Sequence, residues 1–176
     1  PEVSLHLHVA PLNVIERGVL DGQFQVGIIP GHRSSGLLAY DELFSETMYL
    51  YCAPTHPLFA ASAAQQPASW ERLRAHAFAG LGYHSPNMEM SQQVQLGRSA
   101  TGYDQESIAT LILSGCYLGF LPDHYAYSFV QSGQMRAINP QVFNYRCSFF
   151  CIVRASPQAA RVTQAFLAAL LQHHAD

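Results

Sequence analysis

The sequence predicts an α/β protein of two lobes with a ligand cleft between them. Short apolar runs alternate with amphipathic stretches along the whole chain, which is typical of strands alternating with helices. The hydrophobic fraction of 49% against a charged fraction of 12% predicts a sizeable core and excludes a disordered chain. A Pro-, Ala- and Ser-rich stretch at residues 54–69 interrupts the series and indicates a crossing into a second lobe.

The first elements are predicted to form a right-handed βαβ unit. Residues 3–9 alternate apolar and polar side chains, the pattern of a half-buried strand. Pro11 suits the first turn of a helix that continues to about Leu20, and Gly22 is expected to end it in a left-handed conformation. Residues 24–29 are continuously apolar, as expected for a strand buried on both faces of a parallel sheet.

The middle of the chain repeats the alternation of strands and helices. Ser69 and Asn87 are predicted to cap helices, and acidic residues favour a helix start near Asp104. The predicted strands are 37–43, 47–53, 78–81, 99–103, 117–121, 135–138 and 142–153; the predicted helices are a short one around Trp70 to Arg74, then 88–96, 104–115, 123–130 and 159–171, the last begun by Ser156 and Pro157. Residues 1–55 with 147–176 are therefore expected to form one lobe, and residues 56–146 the other.

Charge and cysteine usage narrow the function. The net charge is -3, and the nine basic residues, all arginines, are scattered, so this chain by itself is not expected to bind nucleic acid. No apolar run is long enough to cross a membrane, and a chain that opens directly on a strand suggests a fragment of a longer protein. Cys52, Cys147 and Cys151 lie in apolar runs and are expected to be buried, reduced thiols of a cytoplasmic protein, with Cys116 the most exposed. A redox-sensing pair is the alternative.

Three motifs, taken together, resemble a known family. LDGQFQVGIIP at residues 20–30 contains the end of a helix, with a turn at Leu20-Asp21-Gly22, before a strand. His56-Pro57-Leu58 stands at the entry to the second lobe. SIATLILSGCYLGFLP at residues 107–122 is a helix followed by Gly-x-x-x-Gly and Leu-Pro. Their order and spacing resemble the effector-binding domain of LysR-type transcriptional regulators, over essentially the whole chain. Gln25 stands where that family usually has Asp, and Cys116 or Tyr117 where it has Gly.

The resemblance implies the fold and the biological role. The fold would be two Rossmann-like subdomains with a ligand cleft between them, like type II periplasmic binding proteins. The function would be to sense a small effector, often an aromatic or carboxylic acid, for a regulator that binds DNA through a helix-turn-helix domain absent from this chain. The family also implies a homodimer or homotetramer, no cofactor and no membrane partner. Compared with the family, the first strand and helix of the effector domain are missing here, which leaves open whether the pocket is complete.

Candidate effector contacts follow from the rule that ligands bind beyond the carboxyl ends of sheet strands. Each predicted loop after such an end contributes residues. The set is Ala10, Pro11, Leu12, Pro30, Gly31, His32, Arg33, Gly82, Tyr83, His84, Ser85, Tyr103, Gln105 and Glu106. Arg33 is either a bidentate anchor for a carboxylate or a solvated loop arginine, and Tyr83 and Tyr103 either stack on a ring or pack at a lobe edge.

Other functions receive less support from the residues. His6 and His8 share a strand face, but no third ligand of suitable spacing follows, so no metal site is predicted. Ser107 lacks the Gly-x-Ser-x-Gly context of a nucleophile, and no Cys–His or carboxylate constellation indicates an enzyme. An exported solute-binding protein of the same two-lobe architecture remains the main alternative.

Overall fold

The computed structural model describes residues 3–31, 33–61, 67 and 69–174. Strands and helices alternate along these residues, which confirms the α/β class. The strands are β1 (Gly27–Pro30), β2 (Leu38–Cys52), β3 (Phe78–Leu81), β4 (Arg98–Gly102), β5 (Leu118–Pro122), β6 (Arg136–Ala137) and β7 (Asn144–Arg154). The helices are α1 (Leu12–Leu20), α2 (Trp70–Leu73), α3 (Pro86–Gln93), α4 (Gln105–Leu113), α5 (Asp123–Gln131) and α6 (Arg161–His173).

The described strands join into one sheet through two long central strands. The order is β1-β7-β2-β5-β3-β4, with β6 paired to β2. β2 and β7 pair antiparallel from Leu38 opposite Arg154 to Tyr49 opposite Asn144, with a bulge between Glu42 and Phe44. The two predicted strands at 37–43 and 47–53 are therefore one strand, because β7 also supplies partners for the residues between them.

The first predicted strand is wrong. Residues 3–9 form no strand, and the apolar side chains that were to be half-buried are exposed, from 69% at Val3 to 87% at Val9. A strand needs a neighbour that offers its backbone N–H and C=O groups, and β1 is hydrogen-bonded to β7 alone among the described strands. The alternating pattern indicates that residues 3–9 could form a strand, but no described strand pairs with them.

The predicted parallel βαβ unit is also wrong. β1 begins at Gly27 rather than residue 24, and it runs antiparallel to β7 at the edge of the sheet. Ile28 is 42% exposed whereas Ile29 is 1% exposed, so only one face is covered. The covering helix is α1, whose Val19 is fully buried. Four residues of apolar strand do not by themselves distinguish an edge strand from a central one.

The ends of α1, α3 and α4 show which of the predicted capping residues cap a helix in the structure. Gly22 and Gly115 adopt φ values of 76° and 78° after α1 and α4, as the left-handed cap predicts. The predicted cap of α3 is wrong, because Ser85 and not Asn87 accepts the hydrogen bond from the Met88 N–H. Asn87 lies inside the helix instead.

The start of α6 also differs from the prediction. Ser156 and Pro157 precede the helix, which has Ala160 at its N-cap position and begins at Arg161. The Ser-Pro pair is a good start signal by itself, but the chain continues for three residues before the first helical turn.

Three apolar clusters cover the sheet. One packs α1 on β1 and β7 and contains Leu12, Val19, Ile29, Leu38 and Ile152. The other two cover the opposite end of the sheet, with Phe78 and Phe120 in one and Ile108 and Leu121 in the other. The core is thus divided between the two ends of the sheet, while β2 and β7 run through both.

The cysteines behave as expected from their surroundings. Cys52, Cys147 and Cys151 are buried and unpaired, and Cys116 is exposed. Burial raises the pKa of the Cys52 and Cys147 thiols to about 12 and that of Cys151 to about 11. These three thiols are therefore protonated at neutral pH and poorly reactive.

The His56 ring is held neutral at the entry to the second half of the chain. Its side chain is buried, its Nδ1 accepts the Leu58 N–H at 3.2 Å, and its ring lies 5.1 Å from that of His76. Burial lowers the pKa of His56, and His76 lowers it further; burial also lowers the pKa of His76. Both rings favour the uncharged form in the folded chain.

Folding stability is expected to fall in mild acid because of this pair. A histidine whose pKa is lower in the folded than in the unfolded chain binds fewer protons when folded. The free energy of unfolding is therefore unaffected by it above the usual pKa of 6.5 and decreases as the pH falls below that value. Urea midpoints measured from about pH 7.5 to about pH 5.5 should therefore decrease. The decrease should be smaller in His56→Gln than in the control His6→Gln, whose residue is exposed. Equal decreases in both variants would contradict this assignment.

Candidate functional site

The carboxyl ends of β1 and β5 point toward each other on either side of the central strands β7 and β2. Pro30, the last residue of β1, lies opposite Phe149, which in turn lies opposite Phe44 of β2. Pro122, the last residue of β5, lies opposite Met48 of the same strand. Strand β1 runs parallel to β2, and β5 runs antiparallel to it, so their ends approach from opposite directions. Measured along β2, the ends stop four residues apart, from Phe44 to Met48, which is roughly 13 Å.

The ends of β1 and β5 bound this gap, and the loops after β3 and β4 lie on the same side of the sheet as the end of β5. β3 is parallel to β5 and to β4, so their carboxyl ends point the same way as that of β5. Loops at the carboxyl ends of strands are where α/β proteins place ligands. The gap therefore defines the candidate site, and β2 and β7 form its continuous floor.

A cavity of about 240 Å³ opens at the β1 side of the gap. It brings together three of the residues predicted from the sequence, Pro30, Gly31 and Arg33. Its apolar wall is formed by Tyr40 and Phe150, whose rings meet edge to face with centroids 6.4 Å apart. Such a volume suits a small metabolite, and the rings offer it flat apolar surface.

Gly31 is required for the close approach of the loop to this wall. A Cβ atom there would lie 2.7 Å from Cε2 of Phe150, closer than side chains pack. The Gly31 N–H donates to the Ser148 carbonyl at 2.7 Å, which fixes the loop to β7. The glycine thus lets the backbone lie against the Phe150 ring and directs Arg33 along the cavity.

Among the described residues, Arg33 is the one positively charged residue that lines the cavity. Its side chain is exposed, and no described residue accepts a hydrogen bond or ion pair from it. A guanidinium group has five N–H donors in a planar arrangement that matches a carboxylate. His32, its predicted neighbour in the site, lies outside the described residues.

The loop after β3 contacts both ends of the sheet through Tyr83. Its half-buried ring packs against the cluster around Ile29 and also against the cluster around Leu81. Burial raises the pKa of the Tyr83 hydroxyl, as do the charges of Asp104 and Cys147 when ionised. Tyr83 is therefore the predicted site residue that links the two sides of the gap.

The remaining residues of that loop have structural partners. A Cβ on Gly82 would lie 2.5 Å from Cγ2 of Thr101, so the glycine permits the close approach of β3 and β4. His84 Nε2 lies 2.9 Å from the Glu89 carboxylate. Ser85 is buried and caps α3. Whether any of them contacts an effector stays a prediction.

The loop after β4 carries a negative charge at the start of α4. Asp104 accepts the Ser107 N–H at 2.7 Å. Hydrogen bonds from the side chain and the backbone of Ser107 lower the pKa of the Asp104 carboxyl group. An anion is disfavoured here because the helix start is already occupied by a carboxylate. Tyr103 is 61% exposed, Glu106 is exposed, and Gln105 has a buried Oε1 without a partner among the described residues.

The loop before α1 supplies the last predicted group. Ala10 and Pro11 are half-buried, and Leu12 is buried in the cluster beneath α1. Leu12 therefore supports the wall of the site from the core side. Its contact with an effector stays a prediction.

The sequence rule did not identify Tyr40, Phe150 and Ser34. The first two lie within long strands, and the rule considers only the loops that follow strand ends. They line the cavity because β7 places Phe150 opposite Ile29 of β1, and Tyr40 opposite Ile152, so both rings lie alongside β1. The detectable signal was the aromatic content of the predicted strands 37–43 and 142–153.

Groups of metal ligands and membrane-spanning helices are both absent from the described part of the chain. Among the described residues, no three His, Cys, Asp or Glu side chains are grouped so that they could hold a metal ion. No described helix combines the length and the apolar character needed to span a bilayer.

Comparison with known proteins identifies what the chain is similar to. A family model described as LysR substrate binding domain matches residues 1–175. The chain is 35% identical over 170 residues to the HTH-type transcriptional activator BauR of Pseudomonas aeruginosa, covering 97% of this chain and 55% of that protein. The chain thus spans about half the length of this curated relative.

Solved structures of low sequence identity share the fold. The effector binding domain of QuiR in complex with shikimate superposes with a TM-score of 0.76 at 10% identity, covering 94% of this chain and 78% of that one. The regulatory domain of CcmR from Synechocystis PCC6803 in complex with 2-PG gives 0.71 at 17% identity, covering 92% and 78%.

Proposed function

The chain belongs to the LysR substrate-binding domain family, and from that premise we propose that it is the sensing domain of a LysR-type transcriptional regulator. Its effector is a small carboxylic acid that binds in the gap between the facing strand ends. This family consists of transcriptional regulators rather than enzymes. The observation that carries the proposal is the cavity beside β1, which combines Arg33 with the rings of Tyr40 and Phe150.

Charge favours an anionic effector on the β1 side. Arg33 has no described partner, whereas the start of α4 already carries the Asp104 carboxylate. A carboxylate placed at Arg33 would gain charge-assisted hydrogen bonds without displacing an existing ion pair. The rings beside it favour an acid that carries a flat or apolar group.

The gap offers a route from binding to regulation. We assign residues 1–55 and 147–176 to one subdomain and residues 56–146 to the other. The cluster around Ile29 supports this division, because its buried members all come from the first subdomain, whereas residues 48–53 pack in the clusters at the other end of the sheet. An effector that touches both sides of the gap binds the closed arrangement better than the open one and shifts the population toward it. Tyr83, which packs on both sides, moves with that change.

The partners follow from the family. We propose that DNA is bound through a helix-turn-helix domain outside this chain, that the protein acts as a homodimer or homotetramer in the cytoplasm, and that no cofactor or membrane is involved. The relative BauR is an HTH-type activator of which this chain matches about half, 55%. Thiols with raised pKa values in buried strands also suit a reducing compartment.

A thermal-shift screen of small acids tests the proposal. The screen compares each acid with its uncharged amide and includes shikimate and 2-PG. An acid present at 100 times its Kd should stabilise the chain by about 2.7 kcal/mol, enough to raise the Tm by several degrees. The amide should have little effect. A screen in which no acid raises the Tm, or in which amides act as well as acids, would count against a carboxylate effector.

A further inference from the structure

Asn87 is a buried polar residue outside the effector cavity. It is 4% exposed and occupies the second position of α3 rather than its cap. An amide buried in this way costs free energy unless its oxygen and its nitrogen both have hydrogen-bond partners. The partners of Asn87 therefore show what this residue holds in place.

The oxygen of Asn87 closes the loop between β3 and α3. Its Oδ1 atom accepts the backbone N–H of Leu81, the last residue of β3, at 3.0 Å. Among the described residues, β5 pairs with β3 only at Phe78 and Ala79, so the Leu81 N–H lies beyond the paired part of β5. The Asn87 side chain takes the place of a strand partner and fixes where the loop begins.

The rest of this loop is also held by side chains. The Arg98 guanidinium donates to the Leu81 carbonyl at 2.6 Å. Further along, the Ser85 hydroxyl caps α3 and donates to the Tyr83 carbonyl at 3.3 Å. Because the loop is short and held at both ends, the position of the Tyr83 ring depends on the position of Leu81.

The nitrogen of Asn87 connects this loop to β7. A backbone N–H can only donate, so the amide oxygen of Asn87 faces Leu81 and its nitrogen faces away. The Nδ2 atom donates to the Tyr145 hydroxyl at 3.4 Å. Burial raises the pKa of Tyr145, so this hydroxyl is uncharged at neutral pH and can accept the bond. Tyr145 lies opposite Met48 of β2, the residue that also faces the end of β5, so the connection reaches the rim of the gap.

We propose that Asn87 is a positioning residue that sets the Tyr83 ring across the gap by connecting its loop to β7. Tyr83 packs against the cluster around Ile29 on the far side of the gap. Asn87 does not line the cavity beside β1, so it acts through the loop and not by contact with an effector. A ring that is already in place lowers the ordering cost of binding. This effect on affinity rests on the proposed function, whereas the position of the ring does not.

NMR spectroscopy of the 176-residue chain tests the position of the ring without a ligand. Nuclear Overhauser contacts between the Tyr83 ring and the methyl groups of the cluster around Ile29 should be present in the parent chain. They should weaken in Tyr145→Phe, which keeps the aromatic ring but loses the hydroxyl, and weaken further in Asn87→Ala. Hydrogen exchange at Leu81 should become about tenfold faster in Asn87→Ala, relative to Ala79 of the same strand, because its acceptor is lost. In Tyr145→Phe this ratio should stay as in the parent chain, since Oδ1 of Asn87 remains.

Titration with the strongest acid from the screen connects the ring position to binding. The Kd should rise about 2- to 10-fold in Tyr145→Phe, the effect of one neutral hydrogen bond. Two control variants should keep both the parent Kd and the Overhauser contacts. Tyr127→Phe removes an exposed hydroxyl from α5, and Ile138→Val removes one buried methyl group outside the loop.

The variants separate the possible outcomes. Overhauser contacts as strong in Tyr145→Phe as in the parent chain, or weakened equally in Ile138→Val, overturn the positioning role, and this comparison stands even if Asn87→Ala does not fold. An unchanged Kd in Tyr145→Phe also overturns the proposal. A parent chain that binds no acid counts against the proposed function instead, and the Overhauser contacts still decide what holds Tyr83.

Discussion

Replacing Arg33 by alanine is expected to weaken the binding of carboxylate effectors by on the order of 10- to 100-fold. The reason is that Arg33 is the one positively charged residue, in the part of the chain that the structure describes, that lines the cavity beside β1. The Tm of the unliganded chain should be unchanged, since no described residue depends on Arg33 for a hydrogen bond or ion pair. Calorimetric titration with the strongest acid from the screen gives the Kd, and a melting curve gives the Tm.

Two further variants separate charge from geometry in this experiment. Arg33→Lys keeps the charge but loses the planar pair of donors, so it should recover only part of the affinity. Arg72→Ala removes another exposed arginine, on α2, and should bind the acid as well as the parent chain does. If Arg33→Ala binds the acid as tightly as Arg72→Ala, Arg33 is a solvated loop arginine and not the anchor.

Replacing Phe120 by alanine is expected to reduce the free energy of unfolding by about 3–5 kcal/mol. Phe120 is fully buried on β5, and its ring centroid lies 5.9 Å from that of Phe78 and 5.1 Å from that of Tyr145, both edge to face. Trp70 of α2 lies 6.1 Å away. The ring thus joins β3, β5 and β7, and its removal leaves a cavity inside the half of the sheet that carries Tyr83.

Urea unfolding measures this loss and its controls. Phe120→Leu keeps most of the apolar volume and should cost much less, about 1–2 kcal/mol. Tyr127→Ala removes a ring that is 64% exposed on α5 and should change stability by less than about 0.5 kcal/mol. A loss below about 1 kcal/mol in Phe120→Ala would mean that the aromatic cluster does not hold these strands together.

Elements whose order depends on local residues were predictable from the sequence. The helix at Leu12–Leu20 and its Gly22 cap match the prediction because the apolar spacing and a glycine with φ of 76° act within a few residues. The strand at residues 3–9 failed because its order depends on a neighbouring strand. The local pattern of apolar residues indicates which structure a segment can form. Whether a strand forms also depends on a neighbouring strand that pairs with its backbone.

The sequence predicted only those residues of the candidate site that follow the carboxyl end of a strand. The loop Pro30–Arg33 follows a strand end, so the topological rule identified it, and the structure brings Pro30, Gly31 and Arg33 to one cavity. Tyr40 and Phe150 were missed because their position depends on the register between β1, β7 and β2. Ser85 shows a subtler failure, since the sequence cannot tell a capping side chain from a ligand contact before the helix start is known.

Amide NMR mapping shows directly whether an acid binds between the facing strand ends. The strongest acid from the screen is titrated into the ¹⁵N-labelled chain. We expect the largest shifts at Gly31, Arg33 and Tyr40 on the β1 side, together with Tyr83 across the gap. Shifts confined to the outer helices α2 and α6, with the Gly31 and Tyr83 amides unmoved, would contradict it.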